Sequence, residues 1–303
     1  MLLARDASVP IPDGLSWWRS TPAGAAWLTR LPQLVADCAR DWQLTVRAPF
    51  APGSVSWVAP AELPDGTRAV LKVNFPDAES EHEAAALEWW GGEGAVRLLA
   101  HDAERRALLV ERCEPGGSLS TVADEQAANR IAAGVLRRLL GRPAPPQAPF
   151  RSLRDEAARW AQELPARWAR HGRPFPRRLL DEAVELCDQL GSSQPASVVC
   201  HQDLHGGNVL STGAGWVAID PKPLIGEPAF DLASLLRDRL PALLRSSEPG
   251  RTVRRRVELL ADELALDRTR VRGWGIVHAL AWGMSDTTLH ADMVACAELI
   301  AAV

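Results

Sequence analysis

Apolar and polar positions along the chain change period near residue 115. Between residues 43 and 112 apolar positions recur in short alternating runs broken by turn residues. That alternation predicts strands around 43–48, 54–60, 67–74, 95–101 and 106–112. A helical pattern over 79–90 interrupts them and is stopped by Gly91-Gly92. Ahead of the strands, residues 15–42 read as a helical preface with Trp17-Trp18, Trp27 and Leu34-Val35 on its apolar faces. After Glu111-Arg-Cys-Glu-Pro-Gly-Gly117 the period lengthens. Helices are predicted over 124–140, 151–170, 176–190, 230–245, 250–264, 268–281 and 286–302. Pro143–Pro149 is a stiff connector among them. The exception is a hairpin, in which Val209-Leu210 and Trp216–Ile219 flank a turn at Ser211–Gly215. The pattern therefore predicts an α+β fold with two lobes. A small antiparallel-sheet lobe with a helical preface covers 1–112, and a mainly helical lobe covers 113–303. The turn at 111–117 is the expected hinge. No internal repeat or low-complexity segment is visible.

Composition narrows the class. A chain of 303 residues with 47% hydrophobic content has ample material for two cores. Net charge is −4 and the isoelectric point is near 6.0, so no basic surface for nucleic acid is expected. No apolar run approaches the roughly 18–20 residues of a membrane span. Met1–Asp6 is too short an apolar run for a signal peptide, and charge and Pro follow it. The five cysteines are scattered, with no Cys-x-x-Cys, which points to reduced thiols in a cytoplasmic protein rather than a disulfide frame or zinc site. Twelve Trp and no Tyr is unusual, and core packing is the expected role of most of them.

The chemistry concentrates in His201-Gln-Asp-Leu-His-Gly-Gly-Asn208 and in Asp220, which ends the apolar run Trp216–Ile219. The predicted hairpin brings Asn208 and Asp220 together. An Asp, an Asn five residues on and a second Asp are what phosphoryl transfer in the kinase fold needs. One carboxylate orients the acceptor hydroxyl and takes its proton, while an amide oxygen and a second carboxylate hold Mg²⁺. Taken singly, Asp and Asn also cap turns and helices. Upstream, only Lys72 and Lys222 among 34 basic residues are lysines. Lys72 lies in Arg68-Ala-Val-Leu-Lys-Val73, an alternating strand after the turn Pro64-Asp-Gly66. A compact ammonium there suits phosphate bridging, and a planar guanidinium is not its equivalent. The helix over 79–90 offers Glu83 as its partner, with Glu81 and Glu79 next. The bland alternative is a snorkelling edge-strand lysine beside a solvated acidic face.

These segments resemble the aminoglycoside phosphotransferase family, in its branch of streptomycin 6-kinases and hydroxyurea phosphotransferases. The resemblance is carried by Asp65–Lys72, Gly94–Leu99, Ala107–Arg112, His201–His205 with Asn208, Ala218–Pro221, Gly226–Leu232, Val257–Leu260 through Leu266–Arg268, and the Val9-Pro10 and Leu31-Pro32 stretches. It covers nearly the whole chain. It implies a two-lobed protein-kinase-like fold, ATP and Mg²⁺ as cofactors, and a small-molecule acceptor, an aminoglycoside or a hydroxyurea-like compound. It implies Asp203 as the catalytic group, Lys72 held by Glu83 on the phosphates, and Asn208 and Asp220 on the metal. His201 and Asp231 brace the loop, Asp231 from the opening of the next helix. Adenine would be read by backbone groups of Glu111 to Cys113. The phosphate-covering loop at 52–58 contains only Gly53, so Ser54, Ser56 and backbone amides would substitute there, although Ser56 also reads as part of an ordinary hairpin turn. Gln202 stands where the commoner family wording has Gly, and Gly206 precedes Gly207. For a guanidinium-bearing acceptor, carboxylates of the helical lobe are candidates: Asp286, Asp292, Glu156 and Glu163. Each also reads as a solvated surface group.

Two other classes stay open on the sequence. His201, Asp203 and His205 alternate in a way that would suit a metal-dependent hydrolase on an extended segment. A nucleotide-binding protein without transferase activity would keep the same residues.

Overall fold

The computed structural model describes residues 9–51 and 55–303, which form two compact units divided after Gly116. The first unit opens with a 3-10 helix, Asp13–Ser20, and helix α1, Pro22–Asp41. The predicted single preface is thus broken at Thr21. Thr21 is extended, its side chain accepts the Gly24 N–H, and Pro22 stands at the first helical position. Five strands follow: β1 (Thr45–Val46), β2 (Trp57–Glu62), β3 (Arg68–Val73), β4 (Leu98–Asp102) and β5 (Ala107–Glu111). They form one antiparallel sheet in the order β1-β2-β3-β5-β4. Helix α2 (Glu83–Trp90) lies between β3 and β4 in sequence and ends at Gly91, which takes the left-handed conformation a C-cap favours. It is shorter than predicted, and Glu79 and Glu81 fall before it.

Alternation decides which sheet face is buried. Trp57, Ala59 and Ala61 of β2 and Ala69, Leu71 and Val73 of β3 pack inward with Leu28, Leu31 and Val35 of α1. Trp18 stacks on Phe75 with Trp27 edge-on, and the Trp57 indole donates to Pro10 O at 3.0 Å.

Strand β6 (Pro115–Ser118) crosses the division. The second unit contains α3 (Glu125–Leu139), β7 (Arg151–Ser152), α4 (Leu153–Arg170), α5 (Arg177–Ser192), β8 (Val198–Cys200), β9 (Val209–Thr212), β10 (Gly215–Ala218) and β11 (Leu224–Gly226). Then come α6 (Pro228–Asp231), α7 (Ala233–Leu236), α8 (Leu240–Leu244), α9 (Pro249–Leu264), α10 (Arg268–Gly283) and α11 (Ala291–Ala301). Asp124, Ser152 and Asp267 cap α3, α4 and α10 with their side chains. β9 and β10 pair as the predicted hairpin. A continuous helix over 230–245 is not formed. The segment divides into α6, α7 and α8, with Arg239 in the left-handed region ahead of Pro241. From Gly273 onward helix α10 is apolar on nearly every face and buried accordingly, packed against α5, α7 and α11, with Trp274 in contact with Phe230. The last helix starts at Ala291 rather than 286, so Asp286 lies in the turn after α10.

Most tryptophans do pack in cores: Trp18, Trp27, Trp57, Trp90, Trp160, Trp168 and Trp274 are buried, while Trp17 is exposed. All five cysteines are free thiols. Burial pushes the Cys187 thiol up to about 12 and Cys38 to about 11. Among the described residues no helix is long and apolar enough to cross a membrane.

Candidate active site

Two clusters carry the chemistry, one in each unit. In the first, the period-2 geometry of β3 places Lys72 on the face opposite Leu71, between Val58 of β2 and Leu108 of β5. Its ammonium donates to both oxygens of Glu83 at 2.7 Å, and both side chains are buried. Of the three candidate glutamates, Glu83 is therefore the partner, and Glu81 lies beside Arg106 at 3.5 Å. The pair is extended by a residue the sequence did not single out. Asn74, only 2% exposed, donates to Glu83 Oε2 at 2.7 Å and accepts from Ser56 Oγ at 2.7 Å. Ser56 is thus joined to Lys72 through Asn74 and Glu83. Ser54 lies outside the described residues. At the end of β5, the Glu111 N–H already donates to Arg97 O and the Arg112 N–H to Arg68 O. These sheet bonds take up the N–H groups of Glu111 and Arg112. Among the described residues, Cys113 is the one of that stretch whose N–H makes no backbone bond.

In the second unit the loop 201–208 is held from beneath by Asp231. Its carboxylate is fully buried and accepts the backbone N–H groups of His201 and Gln202, each at 2.7 Å. Asp231 does so from the last position of α6 rather than from the opening of a helix. Burial pushes its carboxyl up to about 7 against the pull of these two donors. The bonds fix Gln202 at φ +68°, a left-handed conformation that side chains seldom adopt. The Gln202 side chain is held by Arg151 at 3.1 Å and its carbonyl by the Ser234 hydroxyl at 2.9 Å. His201 is buried and its Nε2 meets Ile219 O at 3.0 Å. A carbonyl only accepts, so Nε2 carries the proton. Burial lowers the imidazole to about 4, so it is neutral at ordinary pH and serves as a brace. Gly206 has no room for a side chain, because a Cβ there would lie 2.8 Å from Asp238 Oδ2 and 3.1 Å from Ser120 N. Gly117 N and Ser118 Oγ close the other flank, on Ser211 and on Gly206 O.

The loop is not extended. The Asp203 N–H donates to His201 O and the His205 N–H to Asp203 O, so successive tight turns replace the alternation a three-ligand metal site would need. Among the described residues no group of three His, Cys, Asp or Glu could hold a metal ion. The turns instead present Asp203, 7% exposed, to two cations. Lys222 Nζ donates to Oδ2 at 2.7 Å and Arg237 Nη2 to Oδ1 at 3.0 Å. Burial alone would raise this carboxyl, but Lys222 and Arg237 hold it below the usual carboxylate range. Lys222 and Arg237 had no role in the sequence reading. Lys222 was visible as one of two lysines, whereas Arg237 carried no signal among so many arginines.

Asn208 and Asp220 are joined by the hairpin, as its pattern predicts. The Ile219 N–H donates to Asn208 O at 2.9 Å. Asn208 Nδ2 donates to Asp203 O at 2.9 Å, so the amide oxygen is the group left to act as an acceptor. Asp220 follows Ile219 at φ +60°. An amide oxygen and a carboxylate are hard oxygen donors and fit a magnesium ion that keeps waters and substrate phosphates as further ligands.

The expected acceptor carboxylates come with cations of their own. Asp286 lies against Arg170 at 2.6 Å and Arg167 at 3.4 Å, and Glu163 against Arg159 at 2.6 Å and Arg167 at 2.8 Å. Arg167 thus joins the two into one exposed network. Glu156 is buried between Arg151 and Arg159, and Asp292 stands in the first turn of α11.

A lysine–glutamate pair on a five-stranded sheet and an Asp–Asn–Asp loop in a helical unit define a two-lobed kinase-fold phosphotransferase. Residues 41–288 match the family of aminoglycoside/hydroxyurea antibiotic resistance kinases, and the chain belongs to it. A streptomycin 6-kinase of Streptomyces glaucescens is 37% identical over 300 residues, 97% of each chain. A hydroxyurea phosphotransferase of Kitasatospora aureofaciens is 37% identical over 92% of this chain and 81% of its own. The fold is shared with the aminoglycoside phosphotransferase APH(3'')-Id of Streptomyces rimosus, solved with ADP and streptomycin. That structure is 22% identical, with a TM-score of 0.57 over 85% of this chain and 99% of the other.

Proposed function

We propose that the protein transfers the γ-phosphoryl group of ATP to a hydroxyl of an aminoglycoside of the streptomycin kind, as a resistance or self-protection enzyme of the cytoplasm. The observation that carries this reading is the loop itself. Asp203 is buried, ionised and fixed in direction, and Asn208 and Asp220 are joined beside it. The first lobe, 1–112, would bind the nucleotide through Lys72, held by Glu83, with Ser54, Ser56, Glu111 and, just beyond it, Cys113 as further contacts. The second, 113–303, would orient the acceptor.

In the reaction the acceptor oxygen bonds to the γ-phosphorus, the bond from that phosphorus to the ADP oxygen breaks, and the hydroxyl proton passes to Asp203 and then to solvent. The paired cations keep Asp203 a weak base. Its contribution is orientation and late proton acceptance, which suits a loose transition state. Asn208 Oδ1 and Asp220 would hold Mg²⁺, which when bound offsets the negative charge of the phosphate oxygens. Lys72 would bridge the α- and β-phosphates.

Hydroxyurea is the second reading. The relative named above supports it, and so do the cations around Asp203 and the pre-paired Asp286 and Glu163, which suit a small neutral acceptor better than a guanidinium. A coupled ADP-release assay with Mg²⁺-ATP, streptomycin, other aminoglycosides and hydroxyurea separates these. Streptomycin-stimulated turnover abolished by Asp203→Asn is the expected result. ATP binding with no stimulation by any of these acceptors would replace this reading with a kinase of another small metabolite or a nucleotide-binding protein that transfers nothing.

A further inference from the structure

Both oxygens of Asp203 carry a cation, one more than its charge requires. The two cations share a floor. Lys222 Nζ lies 5.4 Å and Arg237 Cζ 5.1 Å from the ring centre of Trp282 on α10. Trp282 in turn stacks on His278 at 4.5 Å, and His278 is fully buried against Phe230. A rigid aromatic stack thus ends in two cations aimed at one carboxylate. Lys222 is also fixed by its main chain, whose N–H donates to His201 O at 3.0 Å.

The two cations differ in what they can do. Arg237 is further bonded to Ser234 Oγ at 3.3 Å, a side chain that itself holds the loop carbonyl of Gln202. Its planar fork is committed to that geometry. Lys222 has three donors on a rotatable head at the end of a flexible stem, and can turn from one oxygen to a neighbouring one without moving the backbone. In a chain where Lys72 and Lys222 are the only lysines among 34 basic residues, this is the second place that keeps one. Any hydroxyl that Asp203 orients lies beside Lys222, and the phosphorus it attacks is one bond further on.

On the reading of the loop as a phosphotransferase site, we propose that Lys222 is a catalytic residue. As the acceptor hydroxyl takes its place on Asp203, the Lys222 ammonium turns to an oxygen of the phosphoryl group in flight and neutralises charge there. Arg237 stays on Asp203, and Trp282 is the positioning residue beneath both. No bond to Lys222 forms or breaks, and its proton stays on the nitrogen.

The test measures two rates on the purified full chain with Mg²⁺-ATP: phosphorylation of streptomycin and the slow hydrolysis of ATP by water. Lys222→Gln is expected to lower kcat for both by about 100-fold or more, the usual loss for one donor to a developing charge. KM for ATP should change less than about threefold, and Lys222→Arg should recover part of the rate. The deciding variant is Lys222→Gln combined with Asp203→Asn. A residue that contacts the phosphoryl group lowers hydrolysis by a similar factor with or without Asp203, whereas one that merely holds Asp203 costs nothing once Asp203 is replaced. No further loss in the Asp203→Asn background therefore overturns the proposal. Hydrolysis without streptomycin transfer would overturn the acceptor reading alone and leave the Lys222 comparison readable. Absence of any ATP turnover in the wild type overturns both.

Discussion

Replacing Asp231 by Ala tests the central mechanical claim, that one buried carboxylate sets the direction of Asp203. Asp231 accepts two backbone N–H groups at 2.7 Å, and each lies in a buried stretch. An orphaned buried donor costs about 1–3 kcal/mol, so the two together cost roughly 2–6 kcal/mol. The burial that pushes the carboxyl up to about 7 subtracts from what the native group contributes, which favours the lower half of that range. Gln202 would also lose the bonds that keep it at φ +68°, and its relaxation would turn Asp203 away from Lys222 and Arg237. We expect a midpoint of urea unfolding lowered by an amount equal to about 2–4 kcal/mol. A larger fractional loss of kcat than of ATP affinity should accompany it. Asp231→Asn keeps one acceptor oxygen and should fall between the two. Tryptophan fluorescence gives the unfolding curve, since Trp274 and Trp160 both pack on Phe230 next to Asp231 in sequence. An Asp231→Ala protein within about 0.5 kcal/mol of wild type and with full turnover would refute the reasoning, because the loop would then hold its shape unaided.

Three further outcomes follow from particular contacts. Glu83→Gln leaves Lys72 with a neutral partner and Asn74 with a weaker acceptor; we expect ATP turnover to fall about 10-fold or more, measured as kcat/KM for ATP, with urea stability lowered by about 1–3 kcal/mol. Gly206→Ala puts a methyl group 2.8 Å from Asp238 Oδ2 and 3.1 Å from Ser120 N, one of them backbone, so a loss of roughly 1–3 kcal/mol in thermal or urea unfolding is expected. His278 is fully buried, neither ring nitrogen has a well-formed hydrogen bond among the described residues, and burial holds its imidazole well below 6.5. The unfolded chain therefore binds a proton as pH falls through about 6.5 while the folded one does not, so this group's contribution to stability is present above that pH and lost below it. Relative to His278→Phe, which keeps an aromatic ring against Trp282, the wild type should lose up to about 1.4 kcal/mol per pH unit between pH 6 and 5; parallel curves for the two proteins would exclude the effect.

Local rules determined a good deal on their own. Period-2 runs, a Gly stop and the lengthened apolar period located the five-stranded sheet, α2 and the long helices, because those signals act within a few residues. The hairpin that joins Asn208 to Asp220 was legible for the same reason. Lys72 with Glu83 needed only a strand and the helix that follows it. Tertiary packing decided what local pattern could not carry. The end of α6 lies at Asp231, which turns back to meet His201 and Gln202 some thirty residues earlier in the chain, whereas the break before α8 falls at Arg239 and Pro241. Asn74 became part of the lysine–glutamate pair because β3 ends beside α2. Asp286 and Glu163, read as acceptor ligands, are paired by arginines of α4, whose abundance had hidden these partners. Arg237 and Lys222 converge on Asp203 from separate segments with Trp282 of α10 against both, and charge and aromatic contacts between distant segments leave no period in a sequence. Which oxygen a carboxylate offers, and to whom, is fixed only once the chain has closed on itself and the surrounding side chains have excluded water.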